Sequence, residues 1–398
     1  MQRIIIDKPY TPVPPHRGRI WPAVLGMFAR RTLRKKFGVN RMDISGLDHL
    51  RASLRAGHGI LLAPNHCRDE DPITITALCH TAGTPAYSMA SAHLFLDGGW
   101  KAYLLTRAGA FSVYREGIDR AGIATAIELL AEARRPLVVF PEGFISRTND
   151  RLEPLQEGVT FIAHNAAKKR AKLDPPGKVV IHPVAMRYHF LGDCEAAAAA
   201  VLEEIEARLT WPPQNSSSTI TRIQKAGEAL LVLKEMEYLG EPRSGPIHCR
   251  LQDLIDAILH PAEEEWTGRR HIDHIYARVR RLRAAILPDM TKGELDETER
   301  QHRWKHLADA YLALQLAHYP PDYLGNASNG QRVLETVERL EEDLTDKIRV
   351  HGERSVQITI GPPIEVSAER ETRGGDDPLL AEIERQLNGM LGLSSDDL

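Results

Sequence analysis

Gly59-Ile60-Leu61-Leu62-Ala63-Pro64-Asn65-His66-Cys67-Arg68-Asp69-Glu70-Asp71-Pro72 passes from an apolar run through a charged loop to a helix start. The first five residues have the length and composition of a buried strand. Pro64-Asn65 breaks that strand, and Asp71-Pro72 reads as a helix N-terminus, with Asp at the N-cap and Pro at the first helical position. His66 is thereby placed in a loop, five residues before Asp71. On a regular helix the two side chains would lie on different faces. A loop that folds back brings the Asp71 carboxylate to one imidazole nitrogen and leaves the other to take a proton. The competing reading is an ordinary cap beside an ordinary polar loop residue. A metal set of His66, Cys67, Asp69 and Asp71 has no second His/Cys cluster to complete it.

From Gly46 to Tyr188 strands and helices alternate, which predicts an α/β layer structure. Strands are expected at 59–63, 85–90, 109–113, 136–140 and 179–186, with helices at 72–80, 93–106, 118–134 and 158–169. Pro183 inside the last strand predicts an edge position or a bulge. Residues 193–352 are rich in Ala, Leu, Glu and Arg and carry helix patterns alone, broken at Trp211-Pro212-Pro213, Gly240-Glu241-Pro242, Pro288-Asp289 and Pro320-Pro321. No fixed-period repeat is evident there, which argues against a solenoid. Period-two alternation returns at Ser355–Ile360, and a last helix is expected over 377–390. The economical organisation is a basic N-terminal segment (1–45), a first α/β part (46–192), an all-helical insertion (193–352) and a closing segment (353–398) whose strand rejoins the sheet.

The chain of 398 residues is 42% hydrophobic and 26% charged, as expected for a globular protein with a substantial core. A net charge of −3 predicts no global attraction to nucleic acid, but residues 1–45 carry ten Lys and Arg against two Asp. Within them Ile20, Trp21, Val24, Leu25 and Phe28 recur at helical spacing, followed by Arg30, Arg31, Arg34, Lys35 and Lys36. That pattern suits the surface of an anionic membrane; the alternative is a helix packed on the domain with a solvated basic end. Four scattered cysteines fit a reducing compartment. No secretory signal is visible, and no apolar run reaches the roughly 20 residues of a membrane span.

Three further stretches join the His66 loop. Gly109-Ala110-Phe111-Ser112-Val113-Tyr114-Arg115 ends a strand on a basic residue. Phe140-Pro141-Glu142-Gly143-Phe144-Ile145-Ser146-Arg147 follows an apolar run, and Val180–Ala185 is an apolar strand carrying a proline. With Asn65-His66 and Asp71, these four stretches in this order resemble the glycerolipid acyltransferases, the family that includes 1-acylglycerol-3-phosphate acyltransferase. The resemblance covers about residues 46–190 and, more faintly, 356–363. It leaves the helical segment without a precedent.

The resemblance implies a glycerol-3-phosphate acyltransferase-like fold, a mixed and mostly parallel sheet flanked by helices. It implies acyl transfer from a thioester donor, acyl-CoA or acyl-carrier protein, to a lysophospholipid hydroxyl, with 1-acyl-glycerol-3-phosphate as the default acceptor. His66 would be the general base and Asp71 its orienter. Arg115 and Arg147 would hold the acceptor's phosphate, with Asn65, Glu142, Gly143 and Ser146 shaping the same site. No cofactor is implied beyond the donor, and no metal or nucleic acid. The expected location is the cytoplasmic face of a membrane, reached through the N-terminal basic helix. No Gly-x-Ser-x-Gly elbow is present, so the acceptor hydroxyl is expected to attack directly; Cys67 is the covalent alternative. Two other classes stay open, a lipid-binding protein without turnover and an acyl-thioester hydrolase.

Overall fold

The computed structural model describes residues 10–96, 98–114, 119–212, 214, 216–292, 295–319, 323–325, 329–369 and 377–393. In chain order it opens with α1 (Ile20–Phe37), β1 (Val39–Ser45), α2 (Leu47–Arg55), β2 (Gly59–Pro64), α3 (Asp71–Ala82) and β3 (Tyr87–Ser91). Then come α4 (His93–Leu96), α5 (Gly99–Ala108), β4 (Ala110–Val113), α6 (Arg120–Glu132), β5 (Leu137–Val138), α7 (Gly158–Arg170) and β6 (Val179–Phe190). Six helices follow: α8 (Cys194–Arg208), α9 (Thr219–Leu239), α10 (Ile247–Thr267), α11 (Ile275–Lys292), α12 (Glu297–Ala317) and α13 (Gly330–Thr345). The chain closes with β7 (Arg354–Ile360), β8 (Ile364–Glu365) and α14 (Pro378–Leu391). Two compact units result, one holding the sheet (Thr11–Arg115, Asp119–Leu191 and Glu353–Leu398) and one all-helical, chiefly Gly192–Gly352.

The sheet has the order β1-β7-β6-β2-β5-β3-β4, with β8 also on β6. Neighbours are parallel except where β6 meets β7 and β8. The architecture is therefore α/β, mixed and mostly parallel. β2 is apolar throughout because both faces are covered. Leu61 and Ala63 enter the core beneath α6, α7 and α14, while Ile60 and Leu62 enter the core beneath α1, α2 and α3.

Several expectations are corrected. Residues 11–45, read as a separate basic segment, belong to the sheet unit, and β1 pairs with β7. β6 is interior rather than an edge. Pro183 is accommodated because its backbone faces the break between β7 and β8, where its carbonyl accepts from the Gly361 N–H at 2.8 Å. The single helix expected over 93–106 is split, with Gly98 and Gly99 in left-handed conformations at φ +60° and +62°. α10 and α11 continue through Pro261 and Pro288.

The helical unit contains a recurrence that the sequence did not display. Near the C-terminal end of a helix a buried Glu accepts the backbone N–H eight residues on, then a two-pronged bond from an Arg 15 or 16 residues on. Glu206 takes Gln214 and Arg222, Glu235 takes Arg243 and Arg250, and Glu263 takes His271 and Arg278. Each clamp fixes a loop and the next helix at once. The Glu263 clamp lies just beyond Pro261 and rewards continuation of α10 past a residue that costs a helix interior about 3 kcal/mol. Sequence reading missed the pattern because two buried charges per helix look like surface charge until they are paired.

Removing one partner of such a pair leaves a buried, uncompensated charge, at a cost of about 3–5 kcal/mol. Glu206→Ala should therefore lower the thermal midpoint of the helical unit, followed by helical circular dichroism of the full chain, while Glu206→Leu with Arg222→Met recovers most of the loss. Equal losses in the two variants would show that the pairing itself contributes nothing.

Candidate active site

β2 ends at Pro64, while β6 runs on to Phe190. Two asparagines continue the ladder in place of the missing strand. Asn65 donates its amide to the Met186 carbonyl at 3.0 Å and accepts from the Met186 N–H at 2.7 Å. Asn149 makes the same double contact with Tyr188. Both side chains are buried. Asn65, expected at the acceptor, thus holds the backbone of β6 instead, and Asn149 was not foreseen at all.

The loop between β2 and α3 folds back as its residue types allow. His66 Nδ1 lies 2.9 Å from Asp71 Oδ2. The same oxygen accepts the Arg68 N–H at 2.9 Å, and Asp71 Oδ1 accepts the Tyr188 hydroxyl at 2.7 Å. Asp71 is wholly buried inside the first turn of α3, so its carboxylate serves the loop rather than capping the helix. His66 Nε2 has no hydrogen-bond partner among the described residues. Phe140 stacks on the imidazole with ring centroids 4.1 Å apart.

Tyr188, which the sequence did not single out, joins the His66–Asp71 pair. Burial, with the negative charge of Asp71 beside it, holds its phenol well above the ordinary value, so it stays a donor. Thr74 Oγ1 lies 2.9 Å from the same hydroxyl. The available signal was a lone aromatic hydroxyl at a buried position of β6, two residues past Met186.

The loop after β5 closes over the first one. Glu142 is buried and accepts the His66 N–H at 2.5 Å and the Glu153 N–H at 3.0 Å. Burial pushes its carboxyl up to about 8, against the pull of those two backbone donors. The Ser146 N–H donates to the His66 carbonyl at 2.8 Å, and Ser146 Oγ to the Thr148 carbonyl at 3.2 Å. Gly143 has φ +79°, which a turn built on any other residue would resist. Glu142, Gly143 and Ser146 thus spend their distinctive features on the loop itself. Arg147 is the exception. Its Nη1 pairs with Asp69 at 2.7 Å and its side chain remains partly exposed. Its φ of +60° is a left-handed conformation that costs a non-glycine residue on the order of 1 kcal/mol.

Gly109 caps α5 just before β4 at φ +104°, where a Cβ would meet the Ala86 carbonyl at 2.7 Å, so this motif glycine answers to the sheet. Arg115 lies outside the described residues. Cys67 is buried, with Sγ directed to Asn149 and the Met186 carbonyl at 3.8 and 3.9 Å, which removes it from the attacking position the covalent alternative needs. Asp69 is engaged by Arg147, so His66, Cys67, Asp69 and Asp71 do not converge on a common point.

An imidazole oriented by a buried carboxylate with its far nitrogen left open has the geometry a general base requires. Residues 41–187 match the family model for Acyltransferase, so the chain carries a domain of the acyltransferase family and is an acyl-transferring enzyme by class. The match ends one residue short of Tyr188. Among curated proteins no match to the chain is found.

Glu142 gives the site a pH signature. The unfolded carboxyl loses its proton near 4.5 and the folded one at about 8. Between these values the folded state binds more protons, so stability falls as pH rises through that window and this contribution is level outside it. Glu142→Gln should remove that part of the slope, whatever its effect on overall stability, in urea unfolding measured at about pH 5 and about pH 8. Parallel pH slopes for the two proteins would contradict the assignment.

Proposed function

We propose that the protein transfers a fatty acyl group from a thioester donor to the hydroxyl of a lysophospholipid, with 1-acyl-glycerol-3-phosphate the acceptor that best suits the site. The observation that carries this reading is the His66–Asp71 pair with Nε2 open, set inside a domain of this family. The acceptor oxygen attacks the thioester carbonyl as His66 Nε2 takes its proton. The C–S bond then breaks, and the same proton passes to the departing thiolate. Asp71 keeps Nδ1 protonated and stabilises the imidazolium between the two steps. Arg147 supports a phosphate-bearing acceptor: its backbone is strained and its partly exposed guanidinium is held by Asp69.

Assay of the purified protein with acyl-CoA and acyl-carrier-protein donors against a panel of lysolipids, products read by mass spectrometry, tests the reaction. His66→Ala should cost about 10²–10⁴-fold or more in rate with the fold intact. Near-wild-type turnover in that variant would overturn the mechanism, and release of free fatty acid without an acceptor would identify a hydrolase instead.

The acceptor and product of this reaction live in a bilayer, and among the described residues no helix is long and apolar enough to cross one. α1 supports a peripheral attachment. It packs on the domain through Pro22, Gly26, Ala29, Leu33 and Phe37, and leaves Ile20 (79% exposed), Trp21, Met27 and Phe28 outside. α5 packs beside α1, and α4 and α5 add Leu94, Trp100 (71% exposed) and Tyr103. Arg30, Arg31, Arg34, Lys35 and Lys36 are exposed on the same helix, each contributing about 1 kcal/mol near an anionic surface. The arginine-rich helix α11 is the poorer rival, because Arg278 is buried against Glu263 and Arg281 is paired with Asp273.

Because α1 belongs to the core, substitution is a cleaner test than removal. Trp21→Ser, Phe28→Ser and Trp100→Ser together should abolish co-sedimentation with phosphatidylglycerol-containing vesicles and spare activity on a water-soluble short-chain acceptor. Undiminished vesicle binding would place the attachment elsewhere.

A further inference from the structure

Outside the acyltransferase domain, the helical unit brings two histidines and a carboxylate together. His302 and His306 stand one turn apart on α12, so their side chains share a face. Glu265, near the end of α10, meets that face. His302 Nε2 lies 2.7 Å from Glu265 Oε1, and His306 Nδ1 lies 3.8 Å from Glu265 Oε2. One ligand atom from each of the three residues falls within 4.8 Å of the others. We propose that Glu265, His302 and His306 bind a divalent transition-metal ion, zinc by preference, and thereby tie α10 to α12.

The donor set fits that ion. Two imidazoles and one carboxylate suit zinc, whose bonds to such ligands are about 2.0–2.2 Å long, so neighbouring ligand atoms stand roughly 3.3 Å apart around a tetrahedron. The separations of 2.7 and 3.8 Å from Glu265 bracket that spacing. Magnesium and calcium, which call for an oxygen shell, are poorly served. Glu265 and His302 are each 42% exposed, which leaves a fourth position for water. His306 is more deeply placed than Glu265 and His302. The Arg303 guanidinium, over the Trp266 ring at 4.5 Å, is matched by Glu299 at 2.6 Å and by the Ile286 carbonyl.

The Trp266 indole N–H donates to His306 Nδ1 at 2.7 Å. An ion bound at Nδ1 takes the lone pair that the indole now uses, so binding releases Trp266. This site is independent of the acyl-transfer reading and stands or falls apart from it.

The test uses the full chain without a histidine tag, freed of metal by dialysis against chelator and then titrated with zinc by calorimetry and with cobalt by visible absorption. One ion per chain is expected, with the d–d absorption of four- or five-coordinate cobalt, a raised melting temperature and a change in tryptophan emission. His302→Ala and His306→Ala should each weaken binding by more than about tenfold. Trp266→Phe should keep the ion and lose the emission change. Absence of a one-to-one complex, or unchanged affinity in both histidine variants, would overturn the proposal. His302→Ala serves as the folding-safe variant, since that side chain stands at the surface.

Discussion

A wholly buried carboxylate is costly unless both of its oxygens are hydrogen-bonded, and the architecture around Asp71 meets that demand with three donors. His66 and the Arg68 N–H approach one oxygen and the Tyr188 hydroxyl the other. The donors come from two constraints. His66 and Arg68 come from a loop folded back on itself, and Tyr188 comes from a strand that outlasts its neighbour. The tautomer of His66 follows, because a carboxylate at Nδ1 asks for a proton there and leaves Nε2 unprotonated.

β6 is the member that makes this possible. It lies between β7 and β2 in the sheet and runs beyond the point where β2 stops. Asn65 and Asn149 supply amide groups where a strand would have supplied peptide groups, so the far end of β6 stays straight and delivers Tyr188. Glu142 and Ser146 then fasten the second loop to the backbone of His66. The polar residues named here hold the two loops and the imidazole in place.

How much of this the sequence disclosed depends on the kind of signal. The β2 run, the loop residues His66 and Asp71, and the Phe140–Arg147 stretch were legible because strand length, loop composition and spacing are local properties. The roles of Asn65 and Glu142 were not, because nothing local distinguishes an amide that binds a ligand from one that completes a ladder. Pro183 misled for the same reason, since its position opposite the break between β7 and β8 is set by a strand far along the chain. In the helical unit, α9 and α12 open on side-chain caps from Ser218 and Asp296. The Glu–Arg clamps stayed hidden because each spans two helices, and charge periodicity was not where the eye looks for a repeat.

The central claim is that Asp71 and Tyr188 fix His66 with its proton on Nδ1. Nitrogen-15 NMR of selectively labelled histidine, at a pH where the imidazole is neutral, reads that tautomer directly. His66, assigned by comparison with His66→Ala, should show a protonated Nδ1 and an unprotonated Nε2, and Asp71→Asn should disturb that pattern. A neutral ring carrying its proton on Nε2 in the wild-type chain would contradict the account.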